Sequence, residues 1–268
     1  MDNPVNKFPC VDVVIPVFNG QKTIHAALAS ILAQQGCWVR RIIVVDDGST
    51  DETAQVVQNL CSPLIELVRS SNQGVAMARN LGIERSTAEW IAFLDADDLW
   101  MPEKLQAQLA AAQEHGAGFV CCSASEQSVT PTGIISTKAL ARGNFVATSS
   151  VLVKRKILQQ IHPAFTPGML FAEDYLAWLK CTTLTRGYYL SARLADYHVS
   201  KHPRYRWGQI LLNIASLNIQ YFSFLLRSGA GRPQRWRLSL AIFIGSLRSL
   251  LSILLRFFRS YFLGCPGT

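Results

Sequence analysis

Between residues 11 and 122 one pattern recurs four times: a short apolar run, a polar break, then a segment with apolar residues at helical spacing. Val11, Val13, Val14, Ile15 and Val17 are all β-branched, with no charge after Asp12, as in a strand buried on both faces of a parallel sheet. Asn19-Gly20 ends that run, and Ile24, Leu28, Ile31 and Leu32 then mark a helix from about Thr23. A second run, Ile42 to Val45, leads into Asp46-Asp47-Gly48-Ser49-Thr50-Asp51. There Ser49 or Asp51 is placed to cap the helix that carries Val56, Val57 and Leu60. The third, Ile65 to Val68, precedes Asn72-Gln73-Gly74 and a helix through Ala76, Arg79, Asn80 and Ile83. The fourth, Trp90 to Leu94, runs into Asp95-Ala96-Asp97-Asp98. Pro102 suits the first turn of the next helix, and Phe119 to Cys122 reads as a fifth strand. Alternation of this kind predicts an α/β protein with a doubly wound, mostly parallel sheet and right-handed crossovers.

After Ser123 the alternation stops. Residues 123–150, rich in Ser, Thr and Gly, read as loops and short strands over one face of the sheet; residues 173–186 read as a helix opening on Glu173-Asp174. From Trp207 to Leu263 the chain is helical and apolar, interrupted by Ser228-Gly229-Ala230-Gly231-Arg232-Pro233. The expected division is therefore a sheet domain over residues 1–200 and a helical appendage over residues 201–268.

Charge separates the same two regions. Residues 1–196 hold 16 Lys and Arg and all 18 Asp and Glu, whereas residues 197–268 hold 10 basic residues and no acid. An acid-free basic segment points to an anionic surface. Its aromatics interleave with Leu and Ile rather than with Lys, so a membrane fits and nucleic acid does not. Leu238 to Leu255 is broken by Arg248 and softened by serines. It is short of the roughly 20 apolar residues a span needs. Arg248, Arg256 and Arg259 are spaced as one helical stripe, so a helix lying in the headgroup region is the leading reading, ahead of a true span and of a soluble helical pair packed on the domain. Met1 to Pro9 is polar and Pro-containing, so neither a secretory leader nor a leading transmembrane helix is expected there. The seven cysteines are scattered without a CxxC pair. The expectation is a chain with reduced thiols, cytoplasmic and attached to the inner face of the cell membrane.

Ligands of an open parallel sheet bind beyond the carboxyl ends of its strands. Three clusters fall there: Pro16 to Asn19, Asp46-Asp47, and Asp95 to Asp98. Carboxylates crowded on one edge call for a cation or hydrogen-bond donors. Mg²⁺ or Mn²⁺, which takes oxygen ligands and leaves positions for phosphate, answers that need. The loop after the first strand, Phe18-Asn19-Gly20-Gln21, is no dinucleotide fingerprint, and no Walker lysine motif is present.

In its motifs the sequence resembles the family 2 glycosyltransferases, which have the GT-A fold. The resemblance rests on Val14-Ile15-Pro16-Val17-Phe18-Asn19, Val45 to Asp51, Asn72-Gln73-Gly74 with Ala78-Arg79-Asn80, Phe93 to Asp98, and Glu173-Asp174, in the family's order from about residue 11 to 200. It implies a metal-dependent, inverting transferase using a nucleotide-diphosphate sugar, with uridine as the nucleoside and Mn²⁺ or Mg²⁺ as cofactor. The implied donor site comprises Pro16, Val17, Phe18, Asn19, Asp46, Asp47, Gly74, Arg79, Asp95 and Ala96. Asp46 takes the uracil N3–H, backbone groups of Pro16, Val17 and Phe18 line the base pocket, and Arg79 holds a phosphate oxygen. Asp97 is the implied direct metal ligand, with Asp95 nearer the ribose, Asp98 assisting, and His202 a further candidate. Asp174 matches the family's catalytic base, with Glu173 its neighbour. The processive signature QxxRW is not matched by Gln234-Arg235-Trp236, so a single transfer is expected, to a glycan or polyprenyl-linked acceptor in surface polysaccharide assembly. Two other readings, a nucleotidyltransferase and an inactive nucleotide-binding scaffold, are less consistent with the poor triphosphate loop and the full carboxylate set.

Overall fold

The computed structural model describes residues 10–36, 39–125, 130–169, 171–197, 207–228, 237–242 and 244. The first half follows the expected alternation: β1 (Val11–Val17), α1 (Ile24–Leu32), β2 (Val39–Asp46), α2 (Thr53–Asn59), β3 (Ile65–Arg69), α3 (Val75–Arg85) and β4 (Trp90–Phe93). Then come β5 (Leu99–Trp100), α4 (Lys104–His115), β6 (Phe119–Ser123), β7 (Gly133–Ile135), α5 (Thr137–Leu140) and a 3₁₀ turn at Thr148–Ser150. The remainder is β8 (Leu152–Lys154), α6 (Arg155–Gln160), α7 (Glu173–Leu184), β9 (Gly187–Arg193), β10 (Ala195–Asp196) and α8 (Trp207–Arg227).

Eight strands form one sheet in the order β3-β2-β1-β4-β8-β6-β9-β7. The block β3-β2-β1-β4 is parallel, and every residue of β1 is buried, in keeping with its run of β-branched residues broken only by Asp12 and Pro16. Beyond β4 the structure adds what the pattern did not give. The strand expected at Phe119 to Cys122 is present as β6, and β8 inserts between β4 and β6, antiparallel to both. The segment after Ser123 does not merely cover a face: β7 extends the sheet edge, antiparallel to β9, while β9 runs parallel to β6.

The order reverses at β1, which has β2 on one side and β4 on the other. In register, Val17 lies opposite Asp46 and Asp46 opposite Arg69, while Val14 lies opposite Phe93. The residues just past β1, β2 and β4 therefore share one edge, where the crevice of a switch point opens. Across the sheet, Phe93 and Phe119 pack against Trp178 of α7 and Phe165, with ring centroids 5.3–5.8 Å apart. That aromatic packing seats α7 so that its first turn, Glu173-Asp174, stands at the same edge.

A small ribbon completes the arrangement. β5 pairs antiparallel with β10, Leu99 opposite Asp196, which brings Tyr197 beside the Asp95–Asp98 turn. By contacts the chain divides into two units, Met1–Ile135 with Val146–Arg204, and Ser136–Phe145 with Tyr205–Thr268. All of the edge just described belongs to the first. Among the described residues no helix is long and apolar enough to cross a membrane. His202, Arg248, Arg256 and Arg259 lie outside the described residues.

Candidate active site

The turns after β1 and β2 are laced together. Asn19 N–H donates to Ser49 Oγ at 2.9 Å, Gly20 N–H to Thr53 Oγ1 at 2.8 Å, and Gln21 N–H to Asp51 Oδ2 at 3.2 Å. In return, Thr50 N–H donates to Asn19 Oδ1 and Glu52 N–H to Gln21 Oε1, each at 2.9 Å. Asp51 also accepts the Thr53 N–H at 3.0 Å, but the residue at the N-cap of α2 is Glu52, so neither Ser49 nor Asp51 holds the capping position expected for it. Asn19 sits at φ 53°, a conformation its short polar side chain tolerates. These bonds brace one wall of a cleft of about 650 Å³, whose lining includes Pro16, Val17, Phe18, Asn19, Val75, Arg79, Asp95, Ala96 and Asp97. That volume suits a nucleotide-sized ligand.

Asp46 is fully buried. Its Oδ1 accepts the Ser49 N–H at 2.8 Å, while its Oδ2 has no hydrogen-bond partner. Arg69 Nε approaches Oδ2 to 3.4 Å without hydrogen-bond alignment and is itself largely exposed. A buried carboxylate oxygen that accepts no hydrogen bond is costly unless a ligand donates to it. Asp47, implied as a donor-site residue, has both oxygens committed to the chain. Its Oδ1 accepts Ser70 Oγ–H and Gln73 N–H, and its Oδ2 accepts Gly74 N–H at 2.7 Å. It shapes the turn that leads into α3, where Gly74 adopts φ 92°.

Arg79 lines the cleft and is also tied into the chain. It is buried in α3, donates through Nη2 to Asp95 Oδ1 and through Nη1 to Glu173 Oε1, both at 2.8 Å, and lies over the Phe165 ring. Burial opposes its charge, but Asp95 and Glu173 outweigh that and hold its pKa above the ordinary arginine value. The guanidinium bridges the β4 edge and α7 at the wall of the cleft. The adjacent Asn80 fixes the same helix to the 163–168 loop, exchanging hydrogen bonds with the Phe165 backbone at 2.6 and 3.0 Å. Glu173, implied as a catalytic neighbour, is buried in this bridge.

The segment Thr148–Ser150, which sequence reasoning left without a role, ties the carboxylates together. Ser149 Oγ accepts the Asp95 N–H at 3.0 Å and donates to buried Asp98, while Trp100 Nε1–H donates to Ser149 O at 2.7 Å. Thr148 Oγ1 donates to Asp174 Oδ2 at 3.0 Å. Asp174 Oδ1 accepts the Tyr175 N–H at 2.6 Å. Desolvation, helped by the Glu173 charge, raises Asp174 to about 6. Ala172, just before it, holds φ 64°, an unusual conformation for alanine and one that turns the chain sharply into α7. Tyr197 faces the same carboxylates: burial, then the charges of Asp98, Asp95, Asp174 and Asp97, push its phenol up. Only the three-dimensional pairing of β5 with β10 reveals that placement.

For a divalent cation the donor set fits in part. Among the described residues no three His, Cys, Asp or Glu side chains converge into a ready-made cage. Asp97, partly exposed in the cleft, makes no hydrogen bond or ion pair within the described residues, and Asp95 keeps one oxygen clear of Arg79. One or two carboxylates completed by substrate phosphates is how Mg²⁺ or Mn²⁺ is commonly held beside a diphosphate.

A switch-point crevice lined by Asp95 and Asp97, with the buried Asp46 carboxylate at the end of the neighbouring strand, is the frame in which an open α/β sheet takes its ligand. The chain belongs to glycosyltransferase family 2, whose model, Glycosyl transferase family 2, matches residues 12–169. It is 30% identical over 184 residues to an uncharacterized glycosyltransferase of Haemophilus influenzae, covering 65% of this chain and 72% of that one. It is 28% identical over 179 residues to the Escherichia coli UDP-Glc:α-D-GlcNAc-diphosphoundecaprenol β-1,3-glucosyltransferase WfgD, covering 63% and 68%. Among solved structures, S. aureus TarS 1–349 in complex with UDP superposes with a TM-score of 0.71 at 18% identity, covering 87% of this chain and 70% of that one. The mannosyltransferase PcManGT of Pyrobaculum calidifontis, in complex with GDP-Man and Mn²⁺, gives 0.65 at 20%, covering 93% and 76%. The family membership and the GT-A fold are thereby shown.

Proposed function

We propose that this protein is an inverting, non-processive glycosyltransferase that moves one sugar from a uridine-diphosphate donor to a hydroxyl of a glycan or polyprenyl-linked acceptor, in surface polysaccharide assembly. The observation that carries the reading is Asp46 Oδ2: an ionised carboxylate only accepts, and uracil offers one N–H donor on its recognition edge. The E. coli relative, named for UDP-Glc and a diphosphoundecaprenol-linked acceptor, supports the same donor and acceptor classes. The S. aureus neighbour holds UDP on the same fold.

In this reading the base enters beside Pro16, Val17 and Phe18, and the diphosphate lies toward the Asp95–Asp97 edge. Asp97, with the free oxygen of Asp95, would hold Mn²⁺ or Mg²⁺, which supplies charge neutralisation to a departing diphosphate. Asp174, across the Arg79 bridge from Asp95, takes the proton of the attacking hydroxyl. One base opposite the leaving group is the requirement for single displacement with inversion. The partly raised affinity of Asp174 for protons suits that task near neutral pH.

The proposal extends to location. Residues 1–200 carry transfer and residues 201–268 hold the enzyme on the inner face of the membrane. An acid-free basic tail supports this. So does the ridge of Leu212, Ile219 and Leu226, exposed at seven-residue intervals on α8.

Calorimetric titration with uridine diphosphate, with and without Mn²⁺, tests the donor assignment on wild type, Asp46→Ala and Asp97→Ala. Binding is expected only to wild type with metal at full strength, lost with Asp46→Ala and made metal-independent and weak with Asp97→Ala. Equal binding by all three would remove the assignment.

A further inference from the structure

Thr148 and Ser149 are consecutive, and their hydroxyls reach the two halves of the site: Ser149 the Asp95–Asp98 turn, Thr148 the Asp174 carboxylate. Both residues are buried, so these hydroxyls are not serving solvent. The 3₁₀ turn that carries them abuts β8, which is hydrogen-bonded between β4 and β6. The pair is therefore anchored by the sheet itself, and the spacing between the donor edge and Asp174 is set by one rigid dipeptide.

Building on Asp174 as the base, we propose that Thr148 is a positioning residue for the transfer step, holding the Asp174 carboxylate ionised and oriented toward the acceptor hydroxyl. Thr148 donates to Oδ2 and the Tyr175 N–H to Oδ1, so each oxygen has one bond from the chain. A carboxylate offers about four acceptor positions, which leaves one lone pair per oxygen for substrate. In the step, the acceptor O–H proton passes to Asp174, the freed oxygen pair forms the new bond to the sugar's anomeric carbon, and the carbon–phosphate-oxygen bond breaks with its pair leaving on the nucleoside diphosphate. Thr148 enters by favouring the charged form of the base before that transfer. The other groups acting on Asp174 are Glu173 on its own helix, Arg79 from α3 and Tyr197 from the segment after β10. None of them is altered by a change at Thr148.

Thr148→Val keeps the shape and removes the donor. Its expected effect is confined to the base. The acidic limb of the kcat profile should move up by about one pH unit, with turnover at pH 6 several-fold down and nearly restored at pH 8.5. Donor KM should stay within twofold, and Thr148→Ser should return the limb to its wild-type position. An unmoved limb, or a loss equal at every pH that Thr148→Ser does not relieve, would overturn the proposal. Asp174→Asn, assayed alongside, separates the two possible failures. Full turnover by that variant removes the base reading itself, whereas an inactive Asp174→Asn with an unmoved Thr148→Val limb removes only the role of Thr148.

Discussion

Arg79 joins two carboxylates that stand 16 and 94 residues away in the chain. Removing one partner of a buried ion network leaves the others uncompensated, at a cost of about 3–5 kcal/mol. Arg79→Met should therefore lower the unfolding free energy by roughly that amount in urea titration and also disturb the placement of Asp95. Little loss of stability would mean the bridge is not formed in solution. Asp174 gives a prediction of opposite sign. Its folded pKa is about 6 against 3.8 unfolded, so between those values the folded form holds a proton the unfolded form has released. Stability from this group is thus lost as pH rises from about 4 through 6. Asp174→Asn should be more stable than wild type at pH 7.5 by about 1–3 kcal/mol, with the gap closing below pH 4. The same residue should set an acidic limb near pH 6 in kcat. At this scale the sequence makes the residue types legible, Asp46, Asp97 and Asp174 among them, through their position after apolar strands or at a helix start. It does not make the partners legible: nothing local to Arg79 or Asp47 tells that their charges are already met within the chain.

The elements follow from patterning where the pattern is long. β1 to β4 and the helices between them are readable because each apolar run is four to eight residues and ends in turn chemistry. β8 is three residues, and β7 is another three, too few to show a period. β9 alternates only weakly, and its pairing with β6 is a matter of tertiary position. The close seat of α3 on β1 was likewise hidden in a glycine. A Cβ on Gly82 would lie 2.3 Å from Val14 Cγ1, so the helix approaches the strand only because that side chain is absent. Alanine there gains up to about 1 kcal/mol of helix propensity, but overpacking costs about 1–3 kcal/mol. Val14 is stiff and cannot swing aside, so the clash should win. Gly82→Ala is expected to be destabilised by thermal melting, and adding Val14→Ala should recover part of the loss. A more stable Gly82→Ala would show that α3 sits further from β1 than described.

Over the whole molecule, charge and burial divide the labour. Residues 1–196 hold all 18 acidic residues, while the acid-free stretch of 197–268 carries 10 basic ones. Each Lys or Arg near an anionic bilayer adds about 1 kcal/mol of attraction, decaying within a Debye length of roughly 8–10 Å. Apolar groups then contribute what charge alone does not: Leu212, Ile219 and Leu226 on α8 are each more than half exposed, an arrangement that water disfavours and an interface accepts. The expected behaviour is salt-sensitive, lipid-selective binding. Full-length protein should co-sediment with vesicles containing anionic lipid, bind phosphatidylcholine vesicles weakly, and be largely released by 1 M salt, about where screening shortens to 3 Å. A chain ending at Ser228 should lose most of that binding while keeping uridine-diphosphate affinity. Ile219→Glu in the full chain should weaken binding at every salt concentration, because it removes the apolar contribution that salt does not screen. If full-length protein stays in the supernatant with anionic vesicles, the basic tail serves another partner and the membrane assignment fails, leaving the donor site and its chemistry untouched.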